Sequence, residues 1–210
     1  MLDLEQIKSF DVLSKDEQIE ALKLMQRWKN LNARERCRDD FLEFVKFHWE
    51  GFIMGRHHKI LAEKLNRIAQ GKCKRLMVML PPRHSKSEFA STYFPAWMMG
   101  LNPSLKIIQA THTAELAVRF GRRVRNIIDS EEYQTVFPDI SLSGDNKSAG
   151  RWTTDDGGEA FYSGVGGAIT GRGADLLIID DPHSEQDAMS PTAMDAAWEW
   201  YTSGPRQRLQ

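Results

Sequence analysis

At 210 residues, the chain has room for one full-sized domain and a small helical appendage. Its 41% apolar and 27% charged residues suit a globular protein with its own core, and 28 basic against 29 acidic residues leave a net charge of -1. That balance excludes a global pull toward nucleic acid, so any such contact has to come from a local basic surface. The opening MLDLEQIKSF is acidic and amphipathic, unlike a signal peptide, and the longest apolar run, Leu76 to Leu80, is too short to cross a bilayer. Cys37 and Cys73 belong to no CxxC or Cys/His cluster and read as packing residues of a protein in a reducing interior.

In chain order, residues 14–31 place Ile19, Leu22, Met25 and Leu31 at helical spacing, with Ser14 and Glu17 as a capping box. RDDFLEFVKFHW is a second amphipathic stretch, with Phe41, Val45 and His48 on one side. RHHKILAEKLNRIAQGK is a third, ending at Gly71 as a helix C-terminus should. At Lys74 the texture changes. KRLMVML is a short apolar run closed by Pro81-Pro82, and predicts a strand buried on both faces. SKSEFASTYF predicts a helix that Pro95 kinks or ends. After the turn cluster at Gly100 to Pro103 come a strand at 105–110, a helix from Thr113 to Asp129, and an irregular Gly-, Ser- and Asp-rich region at 138–158. ADLLIIDDP, residues 174–182, is another apolar run, ending in two carboxylates. Strands alternating with helices predict an α/β fold: a mostly parallel sheet flanked by helices, with residues 1–50 as an N-terminal helical subdomain and 51–210 as the core.

The chemistry concentrates in two segments. In LMVMLPPRHSKSEF, a strand, a turn from Pro81 to Ser85 and the helix start Lys86-Ser87 have the order of a phosphate-binding loop. Lys86 would neutralise phosphates and the Ser87 hydroxyl would hold Mg²⁺. The pattern GxxxxGK[ST] is not met, because Leu80 and Ser85 stand at its glycine positions. By itself the tripeptide Ser85-Lys86-Ser87 is common at solvated helix starts. In the second segment, Leu176 to Ile179 deliver Asp180 and Asp181 at a strand's carboxyl end, where open α/β sheets bind ligands. Asp180 suits Mg²⁺, and Asp181 suits the carboxylate that activates water. A strand running into an Asx turn explains a lone Asp-Asp pair equally well. Both elements in this order point to ATP hydrolysis.

The strings PPRHSKSE, LNPSLKIIQATHTAELA and GGAITGRGADLLIIDDPH, in that order, resemble the large-subunit terminases of tailed bacteriophages over about residues 44–210. The resemblance implies a P-loop NTPase of the additional-strand type, with Walker A and Walker B elements, that hydrolyses ATP with Mg²⁺ to power packaging of viral double-stranded DNA. It implies an ATP site at Pro82, Arg83, His84, Ser85, Lys86 and Ser87, with His57 in the adenine-binding segment Arg56-His57-His58. Metal ligands would be Ser87 and Asp180, the general base Asp181, and the γ-phosphate sensor Arg83. Where this chain has Ser85 the family commonly has glycine, which reaches φ > 0 more easily.

An arginine acting on a neighbouring subunit's ATP would be Arg172, between two glycines, with Arg122 and Arg123 as rivals. These two also form a basic stripe with Arg119, where Glu115 is placed to pair with Arg119 across a solvated helix face. Thr111-His112-Thr113 matches a coupling segment but is explained more simply by a helix N-cap. Trp97, Trp152, Trp198 and Trp200 read as core or interface residues. The implied partners are DNA, a portal protein, a small terminase subunit and further copies in a ring, in the host-cell cytoplasm and transiently at the portal vertex. The family places one more strand between the two motif strands. No apolar run after Asp181 supplies it here, and the coupling motif and nuclease would lie beyond Gln210, so no nuclease activity is expected of residues 1–210. A helicase-like ATPase or a non-hydrolysing docking fragment are the alternatives.

Overall fold

The computed structural model describes residues 14–169 and 171–209; the reading of MLDLEQIKSF lies outside them. Ser14 caps α1 (Lys15–Asp39), its hydroxyl accepting from Glu17 N–H while the Glu17 carboxylate accepts from the Ser14 backbone. Asp40 caps α2 (Phe41–His48) through Oδ1, and its Oδ2 accepts from Asn66 of α3 (Arg56–Ala69) at 3.0 Å. Asn66 Oδ1 in turn accepts from Phe41 N–H at 2.9 Å, so one asparagine locks two helices together. Gly71 follows α3 at φ 69°, the left-handed stop its position implied.

Phe41, the first residue of α2, is the hub of the core. Its ring meets Phe89 and Phe94 edge-on at 5.6 and 5.5 Å, with Trp97 at 5.4 Å. Side chains of this size each gain about 1.5–3 kcal/mol on burial. The same cluster takes in Phe44 and Val45 from α2 and Ile107, Val124, Trp152 and Ala160 from the α/β part. Burial pushes the Cys37 thiol up to about 12, which fits an unreactive packing residue.

The sheet has five strands: β1 (Lys106–Thr111), β2 (Leu142–Ser148), β3 (Arg151–Thr154), β4 (Glu159–Gly164) and β5 (Leu176–Ile179), in the order β2-β3-β4-β1-β5. β1 runs parallel to β4 and β5, whereas β3 is antiparallel to β2 and β4. The fold is therefore α/β with a mixed sheet, and the mostly parallel arrangement is not met. The difference arises at 138–158, where the irregular region contains a hairpin. Its strand β3 alternates exposed Arg151, buried Trp152 and buried Thr154, and the Trp152 indole donates to Gly121 O at 3.1 Å. Helices α4 (Phe94–Leu101), α5 (Ala114–Ile128), α6 (Glu131–Val136) and α7 (Pro191–Ser203) complete the chain, and no helix among the described residues is long and apolar enough to cross a membrane. Thr113 is the N-cap of α5, accepting from Leu116 N–H at 3.2 Å, as the simpler reading of that segment held.

The expected strand at Leu76–Leu80 does not form. The segment is extended, and among the described residues it makes no backbone–backbone hydrogen bond. Leu76, Val78 and Leu80 pack against the core while Met77 and Met79 are 82% and 83% exposed, so the run is buried on one face rather than two. Apolar composition could not distinguish these cases, because methionine adapts to either environment. Nor does a ladder form on the far edge of β5. Asp175 N–H donates to Lys106 O, toward β1, whereas Ala174 N–H donates to Arg208 O at 2.8 Å. Successive N–H groups of extended chain face opposite edges, so Leu209, bridged in parallel to Ala174, lies on the edge of β5 away from β1. That single bridge is the only pairing on this edge among the described residues.

Candidate nucleotide site

The loop from Pro81 to Ser85 turns sharply before Lys86-Ser87 open a helix. Arg83 and Ser85 sit at φ 62° and 61°, so Ser85 adopts the left-handed conformation that the absent glycine would reach without strain. Such residues cost of order 1–3 kcal/mol each and persist where the surroundings impose them. Alternation of left- and right-handed residues turns backbone N–H groups toward a common concavity, the arrangement that receives anions. His84 Nδ1 lies 2.9 Å from Pro82 O, closing the turn. Arg83 is exposed and makes no ion pair among the described residues.

Past Ser87 the helix widens into a π-helical segment, Glu88–Tyr93, and then runs directly into α4 with Pro95 in its first turn. Pro95 thus does not end the helix. Lacking an N–H, it leaves the Ser91 carbonyl without its donor four residues on, and the Gln109 side chain of β1 supplies one at 3.1 Å. The fully buried Gln109 thus has a partner for its amide nitrogen inside an apolar strand, while its Oε1 has none among the described residues. π turns of this kind are rare and concentrate at functional sites.

Lys86 crosses to the carboxyl end of β5. Its ammonium lies 3.4 Å from Asp180 Oδ1 and is hydrogen-bonded to Asp181. Asp180 is 7% exposed, and its other oxygen accepts from Ser91 Oγ at 2.8 Å. The Asp181 side chain is 62% exposed, at φ 44°, a conformation that Asp tolerates better than most residues. Burial works to lower the Lys86 pKa, but the Asp181 hydrogen bond and the charges of Asp180 and Asp181 outweigh it, and the net shift is upward. Strand register holds the two carboxylates in place: Asp180 N–H donates to Ala110 O at 2.9 Å, and His112 N–H to Asp181 O at 3.2 Å.

Beside the loop, His57 lies 5.4 Å from His84 and 3.9 Å from His58 between ring centroids, and His58 stacks on Phe89 at 5.0 Å. His58 Nδ1 accepts from Gly55 N–H at 2.9 Å. A Cβ at Gly55 would come within 2.7 Å of the His57 ring, which would then have to shift.

The arginines divide. Arg123 grips Glu88 through both its terminal nitrogens, tying α5 to the turn after Ser87. Arg119 and Arg122 are exposed, and no Glu115–Arg119 ion pair forms among the described residues. Arg172 is paired with Glu159 and lies 4.2 Å from the Phe161 ring centroid, with Arg151 on the same carboxylate at 3.0 Å. Glu159 is level with Lys106 at the opposite end of β1 from Thr111, about 16 Å away at ~3.3 Å per residue. Arg172 is therefore remote from Lys86 within its own chain.

Sequence reasoning missed Ser91, Gln109 and the Glu88–Arg123 pair. Pro95 was the one available signal, since it announces a carbonyl at position 91 in need of another donor. Among the described residues no three His, Cys, Asp or Glu side chains are grouped to hold a metal ion by themselves. The chain matches no protein-family model and no curated protein.

Proposed function

We propose that this chain is a P-loop ATPase of the additional-strand type, the motor domain of a phage terminase large subunit that drives double-stranded DNA into a procapsid. The observation that carries the ATPase reading is the meeting of Lys86 with Asp180 and Asp181, across 94 and 95 residues of sequence, at the carboxyl end of a strand. A lysine opening a helix after a strained loop, facing a buried and an exposed carboxylate, is the charge arrangement that phosphoryl transfer requires.

The donor chemistry fits Mg²⁺. A hydroxyl at Ser87 and a carboxylate at Asp180 are hard oxygen donors, and a site with so few protein ligands suits a cation that takes the rest of its shell from phosphates and water. When bound, Mg²⁺ would neutralise charge on the phosphate oxygens. Lys86, already protonated, would leave Asp181 for the β- and γ-phosphates. Asp181, then free and exposed, would accept a proton from the attacking water as its oxygen bonds to the γ-phosphorus and ADP departs. Arg83 would contact the γ-phosphate from the loop, and the His57–His84 pair would border the base.

DNA, portal, small terminase subunit, ring assembly and a place at the portal vertex in the host cytoplasm follow from the sequence resemblance alone. The deciding experiment is nucleotide binding and hydrolysis by wild type, Lys86→Ala and Asp181→Asn. Binding lost in the first variant and turnover alone lost in the second supports the reading; wild-type affinity in Lys86→Ala overturns it.

A further inference from the structure

We propose that Ser91 is a positioning residue for Asp180, setting the orientation in which that carboxylate receives the divalent cation of a bound nucleotide. The proposal rests on the nucleotide reading above and deepens it. Ser91 is fully buried and lies beyond the residues that the phosphate-loop pattern covers. Its Oγ donates to Asp180 Oδ2 at 2.8 Å, which commits one carboxylate oxygen and leaves Oδ1 directed toward Lys86 at 3.4 Å. A carboxylate so held presents one defined oxygen to the open end of the sheet.

Ser91 is itself held from two sides. It belongs to the π-helical segment, where Phe94 N–H bonds back five residues to Phe89 O instead of four. Its carbonyl, freed by Pro95, accepts from Gln109 of β1. Gln109 lies one residue before Ala110, whose carbonyl accepts from Asp180 N–H. The helix after the loop, β1 and the end of β5 are thus joined through Ser91 and Asp180. The hydroxyl is the sole side-chain donor to Asp180 Oδ2 among the described residues, so its removal frees the carboxylate to rotate.

Partners that orient a metal ligand typically contribute 10–100-fold to metal affinity or activity. Ser91→Ala is therefore expected to raise the Mg²⁺ concentration needed for half-maximal binding of a non-hydrolysable ATP analogue by about 10–100-fold. Affinity for the same analogue in EDTA should stay at the wild-type value, because Lys86 and the loop are untouched. Ser91→Cys fills the same space but donates weakly, so it should behave like Ser91→Ala, and adding Ser91→Ala to Asp180→Asn should change nothing further. Calorimetric Mg²⁺ titrations, with thermal melts as the folding control, read all of these. Wild-type Mg²⁺ dependence in Ser91→Cys, or parallel losses with and without metal, would show that the residue only packs, and would overturn the proposal while leaving the nucleotide reading intact. Absence of any nucleotide binding by the wild type would instead remove the reading and the proposal together.

Discussion

Arg172 and Glu159 form an ion pair at the end of the sheet away from Lys86, with the Arg172 guanidinium over the Phe161 ring. In its own chain this arginine does not meet the candidate nucleotide site, so the catalytic role proposed for it would be played at another subunit's site. In an assembled ring, Arg172→Ala should bind ATP normally and lose turnover by roughly 10³–10⁵, the usual worth of an arginine finger. Mixing Arg172→Ala with Asp181→Asn subunits should restore part of the activity. No rescue at any ratio would assign the role to another residue, with Arg122, which makes no ion pair among the described residues, the candidate on α5.

Removing Lys86 changes the site beyond the loss of the proposed phosphate contact. Asp180 is buried, and Lys86 supplies its only ion pair among the described residues. Lys86→Ala should therefore abolish ATP binding and also destabilise the empty fold by about 3–5 kcal/mol, because it leaves a buried charge without its partner. Denaturant unfolding of the nucleotide-free variant would measure that cost, and unchanged stability would show that Ser91 alone suffices to hold the charge.

The Phe41 ring joins the N-terminal helices to the helix that follows the loop at 81–85. Phe41→Ala should cost about 3–5 kcal/mol, as large buried truncations do. Denaturant melts measure this directly. A loss below about 0.5 kcal/mol, the range of ordinary surface changes, would mean that the helices are not part of one cooperative core.

His58 carries a pH signature. Burial, then the charges of His57 and His84, lower its pKa below the ordinary value of 6.5, and burial lowers that of His48 as well. Both groups are then neutral in the fold while the unfolded chain takes up protons. Their contribution to stability is complete above pH 6.5 and is lost as pH falls through and below that value. The melting temperature should drop between pH 7 and 5, with a shallower drop in His58→Asn, where the amide oxygen can still accept from Gly55. An identical slope in that variant would place the acid sensitivity elsewhere.

Residues 76–80 offer a test of the fold itself. Their backbone N–H groups have no backbone partners among the described residues, whereas those of β1 lie between β4 and β5. Hydrogen exchange should be fast at Met77 to Leu80 and slow at Ile107 to Ala110. Slow exchange in the first segment would reveal a ladder that this arrangement lacks.

The sequence alone determined the helical first third, the caps at Ser14 and Thr113, and the positions of β1 and β5. These depend on periodicity and on short-range hydrogen bonds, which neighbouring residues specify among themselves. It also singled out Lys86, Asp180 and Asp181, because their residue types and flanking patterns are local. Tertiary structure decided what local pattern leaves open. Leu76–Leu80 looks like a buried strand by composition, yet pairing needs a partner elsewhere in the chain, and none among the described residues meets it. The hairpin at 142–154 is polar in sequence, and it became visible only when Trp152 found its pocket against Gly121. The meeting of Ser91, Gln109 and Asp180 depends on a π turn, a proline and the register between β1 and β5. Those contacts join residues 18 to 89 positions apart, a separation that no local reading spans.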